Sequence, residues 1–190
     1  MQYVLDGTKF SVELPSDNDF EFLADLIRIQ KVQLSKDLDE WSVGFDTWEN
    51  ESIDGTSYDI EARLTHFSFD VDGQLEVCFH SEMSQTRGEY MGFRPVLFPY
   101  SKDSTKIDRS IFDSIPDGTE LKMYTLLVNG QPVRWTDGIQ FVDGDKIIFT
   151  DMYFDDTYLI PWIVIDDVVI AKYNLLYNVS WDDLQKQGFA

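Results

Sequence analysis

His66, Cys78 and His80 are the residues of this chain whose types could do covalent chemistry. A thiol beside an imidazole is a nucleophile with its base, and Glu76 would stand nearby as an orienting carboxylate. Whether they meet depends on one hairpin. A three-residue loop over Val71-Asp72-Gly73, with Gly73 in the left-handed region, sets Phe69 opposite Leu75 and Phe67 opposite Val77. That register puts His66 opposite Cys78 and all three candidates on one face of the hairpin. No oxyanion-hole element or third triad member is identifiable, and a closed zinc site wants four ligands where this chain has a single cysteine. No catalytic residue, metal or cofactor is therefore assigned. A hydrolase using Cys78 with His66 and His80 is kept as an outlying alternative.

The second chemistry is charge. From Asp37 to Glu82 the chain carries thirteen carboxylates against one base, Arg63, yet also holds Trp41, Phe45, Trp48, Tyr58, Phe67, Phe69 and Phe79. A segment this rich in aromatics folds, so a disordered acidic tail is not expected. Its acids often sit two apart, as in Asp37/Asp39, Glu49/Glu51, Asp59/Glu61 and Asp70/Asp72, and on a strand such pairs share a face about 6.5–7 Å apart. Rows of negative charge result, which would meet a cationic partner. The candidate contacts are Asp37, Asp39, Glu40, Asp46, Glu49, Glu51, Asp54, Asp59 and Glu61.

Other acidic motifs read as turn chemistry. Asp70-Val71-Asp72-Gly73 is similar to part of an EF-hand loop, but that alignment starts on Ser68 and puts Phe79 at the bidentate position, which cannot coordinate calcium. Asp155-Asp156, Asp166-Asp167 and Asp182-Asp183 are neighbours, and strand neighbours point to opposite faces, so adjacency builds no acid/base pair. Six Asp-Gly pairs and one Asn-Gly use seven of the eleven glycines, which leaves little for a phosphate-binding loop.

These residues must be positioned by a mostly β framework. Gln2–Leu5 and Lys9–Leu14 read as strands around Asp6-Gly7. Ser16 or Asp17 then caps a helix expected to span about 17–35, with Phe20, Leu23, Ala24, Ile27 and Leu34 on one face and a core position against a sheet. Trp41, Val43 and Phe45 alternate as a strand. After Tyr58 the apolar parity switches between Leu64 and Phe67, which a β-bulge or a strand buried on both faces would explain. A strand through Phe93, Val96 and Leu97 is limited by Pro95 and closed by Pro99. Ser101 to Asp117 is polar, with a short helical turn around Ile107 to Phe112. It is the candidate boundary between an acidic α+β half, 1–100, and a β-rich half, 101–190, which could also form one continuous domain.

In that second half Asn129-Gly130 is the strongest hairpin signal, between Lys122–Val128 and Pro132–Trp135. Ile139–Val142, Lys146–Thr150, Tyr158–Ile165 and Val168–Lys172 follow as strands. Ser180 opens a short C-terminal helix through a capping box with Asp183 in the place of Glu, and Gly188 ends it. The expected class is α+β, predominantly antiparallel β with one long N-terminal and one short C-terminal helix.

With 190 residues, 43% hydrophobic and 15% aromatic, the chain can bury a core without staples. Its charge of −20 repels nucleic acid and anionic membranes and attracts basic proteins. Met1 to Asp6 lacks a basic region followed by an apolar run, so no signal peptide is expected. No segment is long enough to span a bilayer, and the cytoplasm of a bacterial host is the expected location.

Four stretches carry resemblances. Val128-Asn129-Gly130 with Val142-Asp143-Gly144-Asp145-Lys146-Ile147 is similar to a pattern in small β-grasp and related RNA-binding modules, without the diglycine tail or basic surface of either, and implies β-rich architecture alone. Gly92-Phe93-Arg94-Pro95-Val96-Leu97 resembles the closing strand of some C-type-lectin-like or formylglycine-generating-enzyme-like domains of bacterial and phage proteins, although here about ninety further residues follow it. Ser180-Trp181-Asp182-Asp183-Leu184 through Gly188 resembles a segment of uncharacterised phage-associated proteins of Firmicutes. The composition, with its spaced acidic rows, looks like that of phage anti-restriction and anti-CRISPR proteins of the DNA-mimic kind.

What these resemblances imply is a phage-encoded, non-enzymatic inhibitor that occupies a basic surface of a nucleic-acid-binding defence enzyme. The alternative from the lectin-like match is a recognition module on a phage particle or cell surface, using Trp41, Trp48 and Trp135 as exposed aromatics.

Overall fold

The computed structural model describes residues 9–33, 40–45, 52–53, 56–57, 62–100, 112–166 and 168–189. The expected strand at Gln2–Leu5 and its Asp6-Gly7 turn lie outside them, as does nearly all of the proposed boundary segment. In chain order the strands are β1 (Lys9–Glu13), β2 (Glu40–Phe45), β3 (Ser52–Ile53), β4 (Thr56–Ser57), β5 (Ala62–Phe69), β6 (Leu75–Glu82), β7 (Met91–Phe93) and β8 (Val96–Tyr100). They continue with β9 (Glu120–Val128), β10 (Gln131–Val133), β11 (Ile139–Gln140), β12 (Ile147–Thr150), β13 (Leu159–Ile165), β14 (Val168–Ala171) and β15 (Leu176–Tyr177). The helices are α1 (Asp17–Arg28) and α2 (Trp181–Lys186).

A first sheet has the order β1-β8-β14-β13-β9-β10, with β12 also on β9, and a second has the order β11-β15-β7-β2-β5-β6. Strands from either side of residue 100 enter both sheets. Pairing is antiparallel except for β2 with β7 and β11 with β15. The protein is thus β-rich and predominantly antiparallel, with two helices among the described residues.

Why the first sheet carries nearly unbroken apolar runs is visible in its burial. Along β13, Trp162 and Val164 join one core cluster while Ile163 and Ile165 join another, and in β14 Val169 and Ala171 separate in the same way from Val168 and Ile170. Both faces are covered, so alternation with polar residues vanishes. Strand β5 does the same in the second sheet: Leu64 belongs to the first cluster and Phe67 to the second, in an unbroken register with β6. The parity switch is therefore a strand buried on both faces, with no bulge. Helix α1 closes the second cluster with Phe20, Leu23, Ala24 and Leu26, and α2 closes the first with Trp181 and Leu184. Each such large side chain contributes about 1.5–3 kcal/mol on burial.

Three expectations change. The N-terminal helix has 12 residues and stops at Arg28 rather than near Ser35. Gln30 takes a left-handed backbone (φ 62°), its N–H donates to the carbonyl of Ile27, and the Lys31 N–H reaches the carbonyl of Leu26, which is Schellman closure without the usual glycine. Second, the single strand expected through Phe93 and Leu97 is two strands in different sheets, β7 and β8, with Arg94-Pro95 as the crossing. Pro99 does not close β8 but pairs with Phe10 of β1, and β14 reaches only Val96 and Leu97 on the other side, so the missing N–H at Pro99 breaks no bond to β14. Third, Trp135 begins a 3-10 turn, and β11 is only two residues long and pairs in parallel with β15.

At the crossing lies a buried polar node. Arg94, fully buried, donates from Nη1 to the carbonyls of Lys172 (2.6 Å) and Ala171 (3.3 Å) and from Nε to Ser42 Oγ (3.4 Å). Ser42 Oγ donates to Asn174 Oδ1 (2.8 Å), whose Nδ2 donates to the carbonyl of Trp41 (3.0 Å). Gly92 is required beside it, because a Cβ there would sit 2.2 Å from Asn174 Nδ2. Gly92→Ala is expected to lower stability in urea unfolding by about 1–3 kcal/mol. The added loss should be smaller in an Asn174→Ala background, since both substitutions act on the same space.

Candidate functional site

The β5–β6 hairpin forms as the sequence reading expects. Asp70 Oδ1 accepts from the N–H groups of Asp72 (2.9 Å) and Gln74 (2.7 Å), and Gly73 has φ 77°. The Asp70–Gly73 run is therefore a turn whose first carboxylate is turned toward its own backbone. Phe69 pairs with Leu75, Phe67 with Val77 and His66 with Cys78.

What surrounds His66 was not foreseen. Strand β2 pairs with β5 so that Trp41 is opposite His66, and the two rings stack with centroids 4.3 Å apart at 12°. His80 lies 5.0 Å from the same indole and the exposed Tyr90 6.0 Å from it. Cys78 is exposed. The three candidates thus share a hairpin face, and both imidazoles pack against tryptophan. Among the described residues no three His, Cys, Asp or Glu side chains converge as a metal ion would need.

Trp41 and Trp135 are half-buried rather than exposed, which corrects the aromatic set of the lectin-like reading. Each covers a ring face on a neighbour, Trp135 lying parallel to Tyr173 at 5.0 Å and 3°. Trp48 lies outside the described residues.

Of the acidic candidates, Asp37, Asp39, Asp46, Glu49, Glu51, Asp54, Asp59 and Glu61 also lie outside the described residues. Glu40 begins β2, with its backbone opposite Phe67. The cations are better defined. Arg63 grips Asp17 from β5 with Nη2 at 2.7 Å and Nε at 3.1 Å, fastening the start of α1 to the second sheet. Arg28 meets Asp25 at 2.9 Å and Glu21 at 3.6 Å, and Lys172 meets Glu120 at 2.7 Å. Arg87 binds the buried Asp183 through Nη2 and Nε, stands 3.5 Å from Asp143, and lies over the ring of Phe141. The Arg28 pairs are local to α1, whereas those of Arg63, Arg87 and Lys172 join residues up to ninety-six positions apart, which only tertiary structure reveals.

Both helices start with the same device, in opposite electrostatic settings. At α1, Asp19 accepts from the Ser16 N–H and Oγ, and at α2, Asp183 accepts from those of Ser180. Burial pushes the Asp19 carboxyl up from its ordinary value, and the Ser16 bonds offset only part of this. Burial acts upward on Asp183 too, but hydrogen bonds from Arg87 and Ser180 outweigh it and hold that carboxyl below its ordinary value.

A shallow cleft of about 440 Å³ lies beside this cap, lined by Phe141, Asp143, Asp145, Lys146, Ile147 and Gln187 among others. Its Gln187 is engaged within the fold, accepting from the Ile147 N–H and donating to the carbonyl of Asp145.

Between β12 and β13, residues 151–157 form an exposed loop, Asp-Met-Tyr-Phe-Asp-Asp-Thr. Asp155-Asp156 belongs to it, and its apolar triplet Met152-Tyr153-Phe154 between acids, without strand alternation, is a signal visible in the sequence.

Comparison with known protein families, with curated proteins and with solved structures finds no match to this chain.

The two caps give a signed prediction. A lowered folded-state value means that Asp183 stabilises the fold above the unfolded carboxyl range and loses that contribution as pH falls through its folded value. Asp183→Asn should cost about 2 kcal/mol near neutrality, and its deficit against the native chain should narrow as pH falls from about 6 to about 3. Asp19, with a raised value, contributes at low pH and loses that contribution as pH rises, so the deficit of Asp19→Asn should widen over the same descent. Urea unfolding of both variants across pH checks the opposite slopes.

Proposed function

We propose that this chain is a non-enzymatic acidic binding protein that occupies the basic, nucleic-acid-binding surface of a partner protein. The observation that carries the reading is the use of its cations. Arg28, Arg63, Arg87 and Lys172 are each bound to carboxylates of the same chain, and Arg94 is buried against backbone carbonyls. These pairs cancel acid against base, so the excess that gives the charge of −20 is left unbalanced and sets an acidic field around the chain. At physiological salt that field acts over about 8 Å, which is enough to steer a cationic surface into contact.

DNA presents one charge per about 1.7 Å of its axis, so a groove built for it is a dense cationic target. The spaced acids of the Asp37 to Glu61 region are the contacts we assign to such a groove. The compositional resemblance to phage DNA-mimic inhibitors supports a host defence enzyme as the owner of the groove.

The immobilised protein, exposed to bacterial lysate at low salt, should retain nucleic-acid-binding proteins that are released by added salt and by duplex DNA. Reversing charge in Asp59→Lys with Glu61→Lys should reduce retention severalfold, because close opposite charges across an interface carry both affinity and encounter rate. Retention that is flat from low to high salt, or that duplex DNA does not compete, would overturn the reading.

A further inference from the structure

The loop 151–157 differs from the rest of the described surface. Exposed large apolar side chains are otherwise scattered, as at Val71, Met83 and Val142, but here Met152, Tyr153 and Phe154 are consecutive and 60%, 64% and 38% exposed. Single exposed apolar residues are ordinary, whereas a contiguous set marks a place where another surface is meant to sit. Tyr, Phe and Met are also the types enriched at the centre of protein interfaces.

The loop is held in shape by its own bonds. The Met152 N–H donates to Thr150 Oγ1 (3.1 Å), and the Tyr153 hydroxyl donates to Asp156 (3.0 Å). Asp155 accepts from the Thr157 N–H (2.7 Å) and hydroxyl (2.5 Å), and the Tyr158 N–H returns to the Asp155 carbonyl. Beneath the loop, β9 carries a bulge where its register with β13 shifts between Leu159 and Ile160. The extra residue there, Tyr124, takes φ 60°, a strained backbone for a tyrosine. A loop ordered before binding loses less conformational entropy on contact.

We propose that this loop is the apolar anchor with which the chain seats itself on a cationic protein groove, Met152, Tyr153 and Phe154 entering an apolar cleft while Asp151, Asp155 and Asp156 meet the surrounding Lys and Arg. The inference rests on the proposed function and adds where the partner's apolar part must lie. Charge complementarity selects this occupant. A second copy would bring another −20 and three more carboxylates to the same place, and an anionic lipid surface would be repelled by them.

The test titrates the full chain with two synthetic peptides of about ten residues and equal charge, alternating Arg–Leu and alternating Arg–Gly, at fixed ionic strength. The native chain should bind the Arg–Leu peptide about tenfold more tightly, a discrimination within reach of one apolar anchor. Met152→Ser with Tyr153→Ser should abolish that preference and leave binding of the Arg–Gly peptide and its salt dependence unchanged. Phe154→Ser serves as an independent second variant should the pair disturb folding, which circular dichroism would report.

Equal affinity of the native chain for the two peptides, or a preference that survives both variants, overturns the anchor while the electrostatic reading stands. Failure of both peptides to bind at low salt overturns both. Binding to zwitterionic vesicles, or dimerisation, that the native chain shows and the variants lose would assign the loop to another occupant and overturn the proposal.

Discussion

The structure depends on a guanidinium that is taken out of water where the chain changes sheets. Arg94 follows β7 and precedes β8, which belong to different sheets, and its Nη1 reaches carbonyls of the segment that leaves β14. A buried charge is tolerated only when its donors are met, and the planar fork of arginine can address several acceptors at once where lysine would present a point. Through Ser42 and Asn174 the same node fixes the carbonyl of Trp41 in β2. Strands β2, β7 and β8 and the turn after β14 are thereby held by one set of hydrogen bonds, each specified by distance rather than by burial alone. Hydrophobic burial favours compaction with little preference for register; a buried polar network that leaves atoms unsatisfied in any other arrangement supplies that preference.

This arrangement has an electrostatic consequence. Arginines elsewhere serve similar internal purposes: Arg63 ties α1 to β5, and Arg87 ties the loop before β7 to the cap of α2. Both join elements distant in sequence, so they act as clasps more than as surface charges. Each clasp joins one base to one acid, so it leaves the excess of acids over bases, and the net charge of −20, unchanged.

Local features were legible in the sequence because they depend on neighbours in the chain. The Phe67/Val77 and Phe69/Leu75 match specifies the β5–β6 register, Ser180 with Asp183 marks the start of α2, and of the two cap candidates Ser16 and Asp17 it is Ser16 that caps α1. The end of α1 was missed because Gln30 closes it in a left-handed conformation usually given to glycine. Arg94-Pro95 read as part of one strand because nothing local distinguishes a strand from two short ones that part company at a proline. Trp41 against His66 was hidden for another reason: it requires β2 to lie on the far side of β5 from β6, a matter of sheet order that spacing does not encode.

The His66–Cys78 face shows what register alone contributes to chemistry. Opposite placement on a hairpin brings a thiol and an imidazole to the same side, which is necessary for a nucleophile and base, but activation also needs a third group to orient the base. Here the ring of His66 is oriented by stacking on an indole, and the neighbouring imidazole of His80 leans on the same surface. Stacking fixes the plane of a ring through its faces. The tryptophan that completes the cluster is held by its own carbonyl to Asn174, and so to the buried arginine, which makes the hairpin face an extension of the internal scaffold. The acidic and aromatic features that turn outward, away from that scaffold, are where recognition by another molecule can be built.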